Sequence, residues 1–299
     1  MNETIQQLQQ GDKRVLARCI SMVENETTGY ESFLEQLTFD KHIPIIGITG
    51  PPGAGKSTLI NALVKHLTDQ QKQIAIIAVD PSSPFNHGAI MGDRLRMSEH
   101  FLHPNVFIRS MATRGSLGGL APKIFEVCDV FRAANFDHII IETVGVGQSE
   151  VEIAALAETT VLVLVPEAGD EIQTMKSGVM EIADVYVVNK SDREGADTFY
   201  NNLFMAAHTN IRNGWEAPVI KTVASKNEGI EELLIAIEKH IHASHNSDKK
   251  IHLLAEKAMM MIRNMRTKDI SIEQIEIDLK ELTTKTDFNI YRYIKKFIQ

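Results

Sequence analysis

From Lys41 to about His242, short runs of apolar, largely β-branched residues alternate with segments whose apolar positions recur every three to four residues. The runs are Ile43 to Thr49, Gln73 to Val79, Val106 to Ser110, His138 to Glu142, Thr160 to Val165, Val185 to Asn189 and Val219 to Thr222. Each is short and almost continuously apolar, as expected of strands covered on both faces. Their alternation with helical patterns predicts an α/β fold, a mainly parallel sheet flanked by crossover helices, over residues 41–242.

The pattern changes at both ends. Residues 1–40 read as a helical extension, in which Asp12 can cap a helix whose Val15, Leu16, Cys19, Ile20 and Val23 recur at helical spacing, and Tyr30 to Leu37 continues in that style. At the other end, residues 243–299 begin with a polar stretch, Ala243 to Asp248, that reads as a hinge. Leu253, Leu254, Ala258, Met261, Ile262 and Met265 then mark one helix face. A tail of this size cannot bury a core alone, so its apolar face is expected to pack on the main domain or on a second copy, and a homodimer is favoured. The Met259-Met260-Met261 cluster fits helix-contact filling.

Composition narrows the class without naming a chemistry. At 43% hydrophobic and 23% charged the chain reads as soluble and globular, and no apolar run approaches the roughly 18 to 20 residues that span a bilayer. No membrane association is therefore expected. The first residues show neither a basic-then-apolar leader nor an Arg-rich transit pattern, so a cytoplasmic location is expected. A net charge of −8 argues against nucleic acid as a partner. Cys19 and Cys128 both fall within apolar helical patterns and read as buried thiols.

The most specific chemistry follows the first strand. Gly50-Pro51-Pro52-Gly53-Ala54-Gly55-Lys56-Ser57 fits G-x-x-x-x-G-K-[ST], and Thr58 opens a helical pattern, which is the context a phosphate-binding P-loop requires. The glycines let backbone N–H groups turn toward phosphate oxygens, Lys56 can reach the β and γ phosphates, and the Ser57 hydroxyl can ligate Mg²⁺. Asp80 ends the second strand at the same sheet edge, where it is either a metal or water organiser or a turn-forming carboxylate. Asp93, inside Gly88 to Arg94, is either part of a switch loop or a solvated carboxylate. The fourth strand runs into Glu142-Thr143-Val144-Gly145-Val146-Gly147-Gln148. Gly145 can offer its amide to a γ-phosphate, and Glu142 can hold the water shell of a metal or orient the attacking water.

A base-reading motif lies farther on. Asn189-Lys190-Ser191-Asp192 fits N-K-x-D at a strand end. The Asp192 carboxylate can accept from guanine N1–H and N2–H, a donor pair that adenine lacks. Two charge-assisted bonds would favour GTP over ATP by on the order of 10²- to 10⁴-fold. The Lys190 stem can cover the base. Val223-Ala224-Ser225 stands where a Ser-Ala-Lys variant is expected, with the Ala224 amide toward the guanine carbonyl. Val223 lacks the bracing hydroxyl of the usual Ser, so weaker positioning of the loop is expected.

Together, Gly50 to Thr58, Val79-Asp80-Pro81-Ser82-Ser83, Gly92-Asp93-Arg94-Leu95-Arg96-Met97, Glu142 to Gln148 and Asn189 to Asp192 resemble the MeaB/ArgK family, the methylmalonyl-CoA mutase-associated GTPases. The resemblance runs from about Gly11 to Lys239, and Glu142 to Gln148 is its most specific piece. It implies a P-loop GTPase that binds GTP and GDP with Mg²⁺ and acts as a homodimeric chaperone. The implied client is an adenosylcobalamin-dependent acyl-CoA mutase, whose cofactor delivery it gates and which it protects from inactivation. Carried over by residue, it places Lys56 and Ser57 at phosphates and Mg²⁺. Asp80, Asp93 and Glu142 fall around the metal and switches, and Asp192 with Val223 to Ser225 at guanine.

Two rivals share the phosphate loop. A nickel or cobalt metallochaperone would need thiolate or imidazole ligands; the chain has no Cys-x-x-Cys, and His240-x-His242-x-x-His245 and His100-x-x-His103 read as exposed helix-end histidines. A P-loop kinase linked to amino-acid transport would need an acceptor pocket with a base, which Asp80 or Glu142 could supply. The N-K-x-D site and Gly145 favour hydrolysis.

Overall fold

The computed structural model describes residues 2–39, 41–80, 100–113, 121–143, 149–168, 179–208, 214–244 and, of 254–297, all but 256–257, 260, 264, 268 and 283–287. The chain divides into two compact units, Met1–Leu253 and Leu254–Gln299.

In the first unit the seven expected strands form one sheet. They are β1 Ile45–Thr49, β2 Ile74–Asp80, β3 Val106–Ala112, β4 His138–Glu142, β5 Thr159–Leu164, β6 Val185–Asn189 and β7 Val219–Thr222. Every pairing is parallel and the order is β3-β2-β4-β1-β5-β6-β7. β1 starts two residues later than the apolar run, at Ile45, because Pro44 has no N–H to give a ladder. β2 runs one residue farther, since Asp80 still pairs with Ala112. From β1 the chain runs outward to β2 and β3, returns to β4 between β2 and β1, then crosses β1 to β5 and runs outward through β6 and β7 on the other side. β1 is thus the point where the winding reverses, and the crevice beyond its carboxyl end is where such sheets bind ligands.

Side chains alternate along β1 and build a core on each face. Ile46 and Ile48 are fully or almost fully buried in one cluster with Leu59, Ile60 and Leu63 of the helix Lys56–Asp69 and with Leu233 and Ile237 of the helix Ile230–Ser244. Gly47 faces the other way. A Cβ there would lie 2.5 Å from Ile153 Cγ1, so the helix Ser149–Leu156 rests directly on the β1 backbone. Each fully buried Ile or Leu contributes roughly 1.5–3 kcal/mol, and the apolar residues of both helices lie at the spacing that aims them at the sheet.

The N-terminal extension packs within this unit. Asp12 caps the helix Lys13–Glu24 by accepting from the Arg14 N–H (2.8 Å) and the Val15 N–H (3.1 Å), and Val15, Leu16, Cys19, Ile20 and Val23 form its buried face. Cys19 and Cys128 are both buried, and burial pushes the Cys19 thiol up. Ala243 and Ser244, expected to open a hinge, are instead the last residues of the helix Ile230–Ser244; the rest of the polar stretch, from residue 245, lies outside the described residues.

Two of the histidines expected on exposed helix ends, His100 and His240, are buried instead. His240 is 4% exposed: its Nδ1 lies 2.9 Å from Thr159 Oγ1, its Nε2 lies 3.3 Å from Asp184 Oδ1, and the Trp215 ring meets it edge-on. Position 240 falls on the same helix stripe as Leu233 and Ile237, and the polar starts of β5 and β6 satisfy its imidazole. His242, two residues on, is exposed, so the two do not share a face. His100 is buried as well, and His103 Nδ1 accepts from the Asn105 N–H at 3.2 Å.

The second unit is described by itself. The described residues between 254 and 266 are helical, and further helices span Ile272–Leu282 and Ile290–Ile294. Among its described residues only Tyr293 is buried, and its hydroxyl donates to Asp278 Oδ2 at 2.9 Å. Lys296, Gln274 and Tyr293 all donate to Asp278, which brings its carboxyl down to about 2. Leu254, Met259, Ile262, Met265, Ile272 and Ile277 remain exposed. No helix among the described residues is long and apolar enough to cross a membrane.

Candidate functional site

The phosphate loop is built where β1 ends against β5. Gly50 has φ +141°, and a Cβ there would stand 2.1 Å from the Val163 carbonyl oxygen, so only glycine lets the chain leave the sheet this close to its neighbour. Gly55 precedes the helix Lys56–Asp69 in the left-handed region (φ +89°) and offers no side-chain cap. The first N–H groups of that helix therefore point out of the loop uncapped by a side chain, and their dipoles favour an anion.

The Lys56 ammonium donates to the carbonyls of Gly50 (2.8 Å) and Pro51 (3.1 Å), and this hooks the lysine over the loop that precedes it. The Ser57 hydroxyl donates to Glu142 Oε1 at 2.7 Å, which joins the start of the helix to the end of β4. Both residues are almost entirely buried. Asp80 is 1% exposed and ends β2; Ala78 is level with Glu142, so Asp80 stands two residues beyond it along the neighbouring strand. Beneath them the Thr143 hydroxyl donates to Thr49 Oγ1 at 3.0 Å, which ties the roots of the β1 and β4 loops. Hydroxyl and carboxylate oxygens are the hard donors that Mg²⁺ selects, so Ser57, Asp80 and Glu142 fit that ion.

On the other side of β1, Asn189 joins three segments. Its Nδ2 donates to the Ala54 carbonyl at 2.8 Å, and its Oδ1 accepts from the Thr222 hydroxyl (3.1 Å) and the Ala224 N–H (3.2 Å). Lys190, in the left-handed region at φ 56°, lays its Nζ on the Gly53 carbonyl at 2.7 Å. The N-K-x-D segment thus braces the phosphate loop from one side while Asp192 stands free of it. Asp192 Oδ2 accepts from Lys226 Nζ at 2.9 Å.

Two expectations at the base site change. The bracing hydroxyl missing at Val223 is supplied one residue earlier by Thr222, so the loop is held after all. The Ala224 N–H expected to face the base is already donated to Asn189, and the next one, that of Ser225, has no partner among the described residues. Thr222, Lys226 and the Thr49–Thr143 pair were not singled out from the sequence. A hydroxyl residue closing an apolar strand beside a motif is a usable signal for Thr222 and Thr143, and for Lys226 the signal is its place directly after Val223-Ala224-Ser225. Gly145 and Asp93 lie outside the described residues.

Residues 16–277 match the family described as methylmalonyl-CoA mutase-associated GTPase MeaB. The chain belongs to this family. A Pyrococcus horikoshii protein described as a GTPase is 46% identical over 264 residues, covering 86% of this chain and 81% of its own length. A fused isobutyryl-CoA mutase of Geobacillus kaustophilus is 32% identical over 287 residues, which cover 89% of this chain but 26% of that protein. The crystal structure of a LAO/AO transport system kinase superposes with a TM-score of 0.67 at 25% identity, covering 100% of this chain and 97% of the other. The chain is a P-loop GTPase, and membership of a GTPase family implies guanine-nucleotide binding.

Proposed function

We propose that this GTPase works with Mg²⁺ as a nucleotide-dependent chaperone of an adenosylcobalamin-dependent acyl-CoA mutase of the methylmalonyl-CoA mutase type, gating cofactor delivery and protecting the mutase. The observation that carries the partner is the fused mutase of Geobacillus kaustophilus, in which a segment related to nearly the whole of this chain occupies 26% of a polypeptide named as a mutase. Fusion holds two modules at high effective concentration, which benefits modules that act on each other.

In this reading the loop Gly50 to Thr58 wraps the phosphates. The hook of Lys56 on the Gly50 and Pro51 carbonyls would give way to contacts with the β and γ phosphates, and the Ser57 hydroxyl, which donates to Glu142 here, would be the oxygen offered to Mg²⁺. Ser57, Asp80 and Glu142 would hold Mg²⁺, which when bound would supply positive charge to the phosphate oxygens. Glu142 holds the metal's water shell or orients the attacking water. Asp93 and Gly145 enter this reading through the family resemblance alone. Asp192 reads guanine N1–H and N2–H. Removing divalent cations with EDTA is expected to abolish phosphate release, with recovery on adding excess Mg²⁺; hydrolysis that persists in EDTA contradicts the metal's role.

The exposed apolar side chains of the second unit, from Leu254 to Ile277, support a homodimer, since isolated units of this size rarely leave such a surface open. Light scattering is expected to give twice the chain mass, and a single chain mass at micromolar concentration would remove the dimer from the proposal. The partner is tested by capture from a cytoplasmic extract with the protein loaded with GDP or with a non-hydrolysable GTP analogue. A cobalamin-dependent mutase is expected, with recovery that differs between the two states. Its absence from both would refute the client.

A further inference from the structure

Lys226 directly follows Val223-Ala224-Ser225 in the base-site loop, and that loop holds it in one place. The Val223 N–H donates to the Glu228 carbonyl (3.1 Å) and the Glu228 N–H returns to the Val223 carbonyl (3.3 Å), closing the loop with an isolated antiparallel bridge. Inside it Ala224–Lys226 form a single 3₁₀ turn, in which the Lys226 N–H donates to the Val223 carbonyl at 2.8 Å. Gly229 makes the exit possible: its φ is +74°, and a Cβ would stand 2.0 Å from the Lys221 carbonyl oxygen. The Ala224 N–H pins the loop to Asn189 of the N-K-x-D segment. The backbone of Lys226 is therefore fixed with respect to Asp192, and its ammonium meets Asp192 Oδ2 at 2.9 Å.

Asp192 Oδ1 has no side-chain partner among the described residues, and each carboxylate oxygen carries two lone pairs. We propose that Lys226 is a positioning and specificity-determining residue for guanine recognition: it holds Asp192 through one lone pair of Oδ2 and presents the remaining oxygen edge to N1–H and N2–H together. This rests on the reading of Asp192 as the guanine acceptor. The Lys226 hydrogen bond also holds the Asp192 carboxyl below the usual carboxylate range and raises the lysine in return, so the carboxylate stays acceptor-only. Both side chains are largely exposed, so attraction between the charges is weak in water. The gain lies in orientation, because a carboxylate already held in its binding pose loses less freedom when the base arrives.

The test compares dissociation constants for GDP and for IDP, which lacks the 2-amino group and so has only N1–H for Asp192. Titration calorimetry on the full chain suffices, with wild type, Lys226→Met, Lys226→Arg and Asp192→Ala. Lys226→Met is expected to weaken GDP by about two- to fivefold and IDP by less than about twofold, narrowing the GDP preference, while Lys226→Arg keeps most of it. Equal weakening of both nucleotides, or no weakening, overturns the positioning role, since a general loss of loop structure does not distinguish the two bases. Asp192→Ala separates the layers. If it leaves the GDP preference intact, the guanine reading of Asp192 fails. If it removes the preference while Lys226→Met does not change it, only the role of Lys226 fails.

Discussion

Replacing Asp192 by Asn is expected to weaken GTP binding by on the order of 10²-fold or more and to turn the site toward XTP. Guanine presents two donors, N1–H and N2–H, to a carboxylate that can only accept. An amide at position 192 keeps one acceptor and gains a donor. It then faces the 2-amino group with an N–H, which repels, whereas xanthine offers a carbonyl at that position and accepts. The exchange leaves the phosphate loop alone, because Asp192 touches Lys226 and not the loop, while Asn189 and Lys190 do the bracing. Competition of labelled GDP by XDP and by GDP measures the switch. A variant that binds both nucleotides as wild type does would show that the base is read elsewhere.

The second large effect is expected at Lys56. Lys56→Ala should reduce kcat/KM for GTP by on the order of 10²- to 10³-fold, the range for removing one preorganised charge from a transition state. The fold should survive the change, since Lys56 hooks back onto carbonyls of its own loop and the helix Lys56–Asp69 is anchored by Leu59, Ile60 and Leu63. Unchanged circular dichroism with lost turnover is the expected pair of results. A collapse of both would mean that the hook on Gly50 and Pro51 is structural.

How far these sites could be read in advance varies with the physics involved. The seven strands were legible because a parallel sheet buried on both faces needs uninterrupted apolar runs, and the chain supplies them between polar loops. The strand ends moved by a residue or two, at Pro44, whose missing N–H delays β1, and at Asp80, which stays in register with Ala112. The phosphate loop was legible because its glycines answer to steric needs that show as spacing, and the clash that a Cβ would make at Gly50 with the Val163 carbonyl is that need in coordinates.

The base site was legible only in outline. Thr222, not residue 223, supplies the hydroxyl to Asn189, and the Ala224 amide goes to Asn189 rather than outward. A shift of one residue in a tight turn leaves no trace in composition. His240 was misread for a related reason: a histidine on a helix shows its burial only when its partners Thr159 and Asp184, 81 and 56 residues away in sequence, are known to lie opposite. Lys226 and Asp192 are likewise joined by the fold and not by any pattern.

Initial rates of phosphate release from GTP and from ATP, measured side by side with Mg²⁺ on the same preparation, test the guanine-reading GTPase most directly. The expected result is a kcat/KM for GTP exceeding that for ATP by on the order of 10²-fold or more, with inorganic phosphate as the product. Comparable rates for the two nucleotides, or transfer of the γ-phosphate to an acceptor in place of release to water, would contradict it.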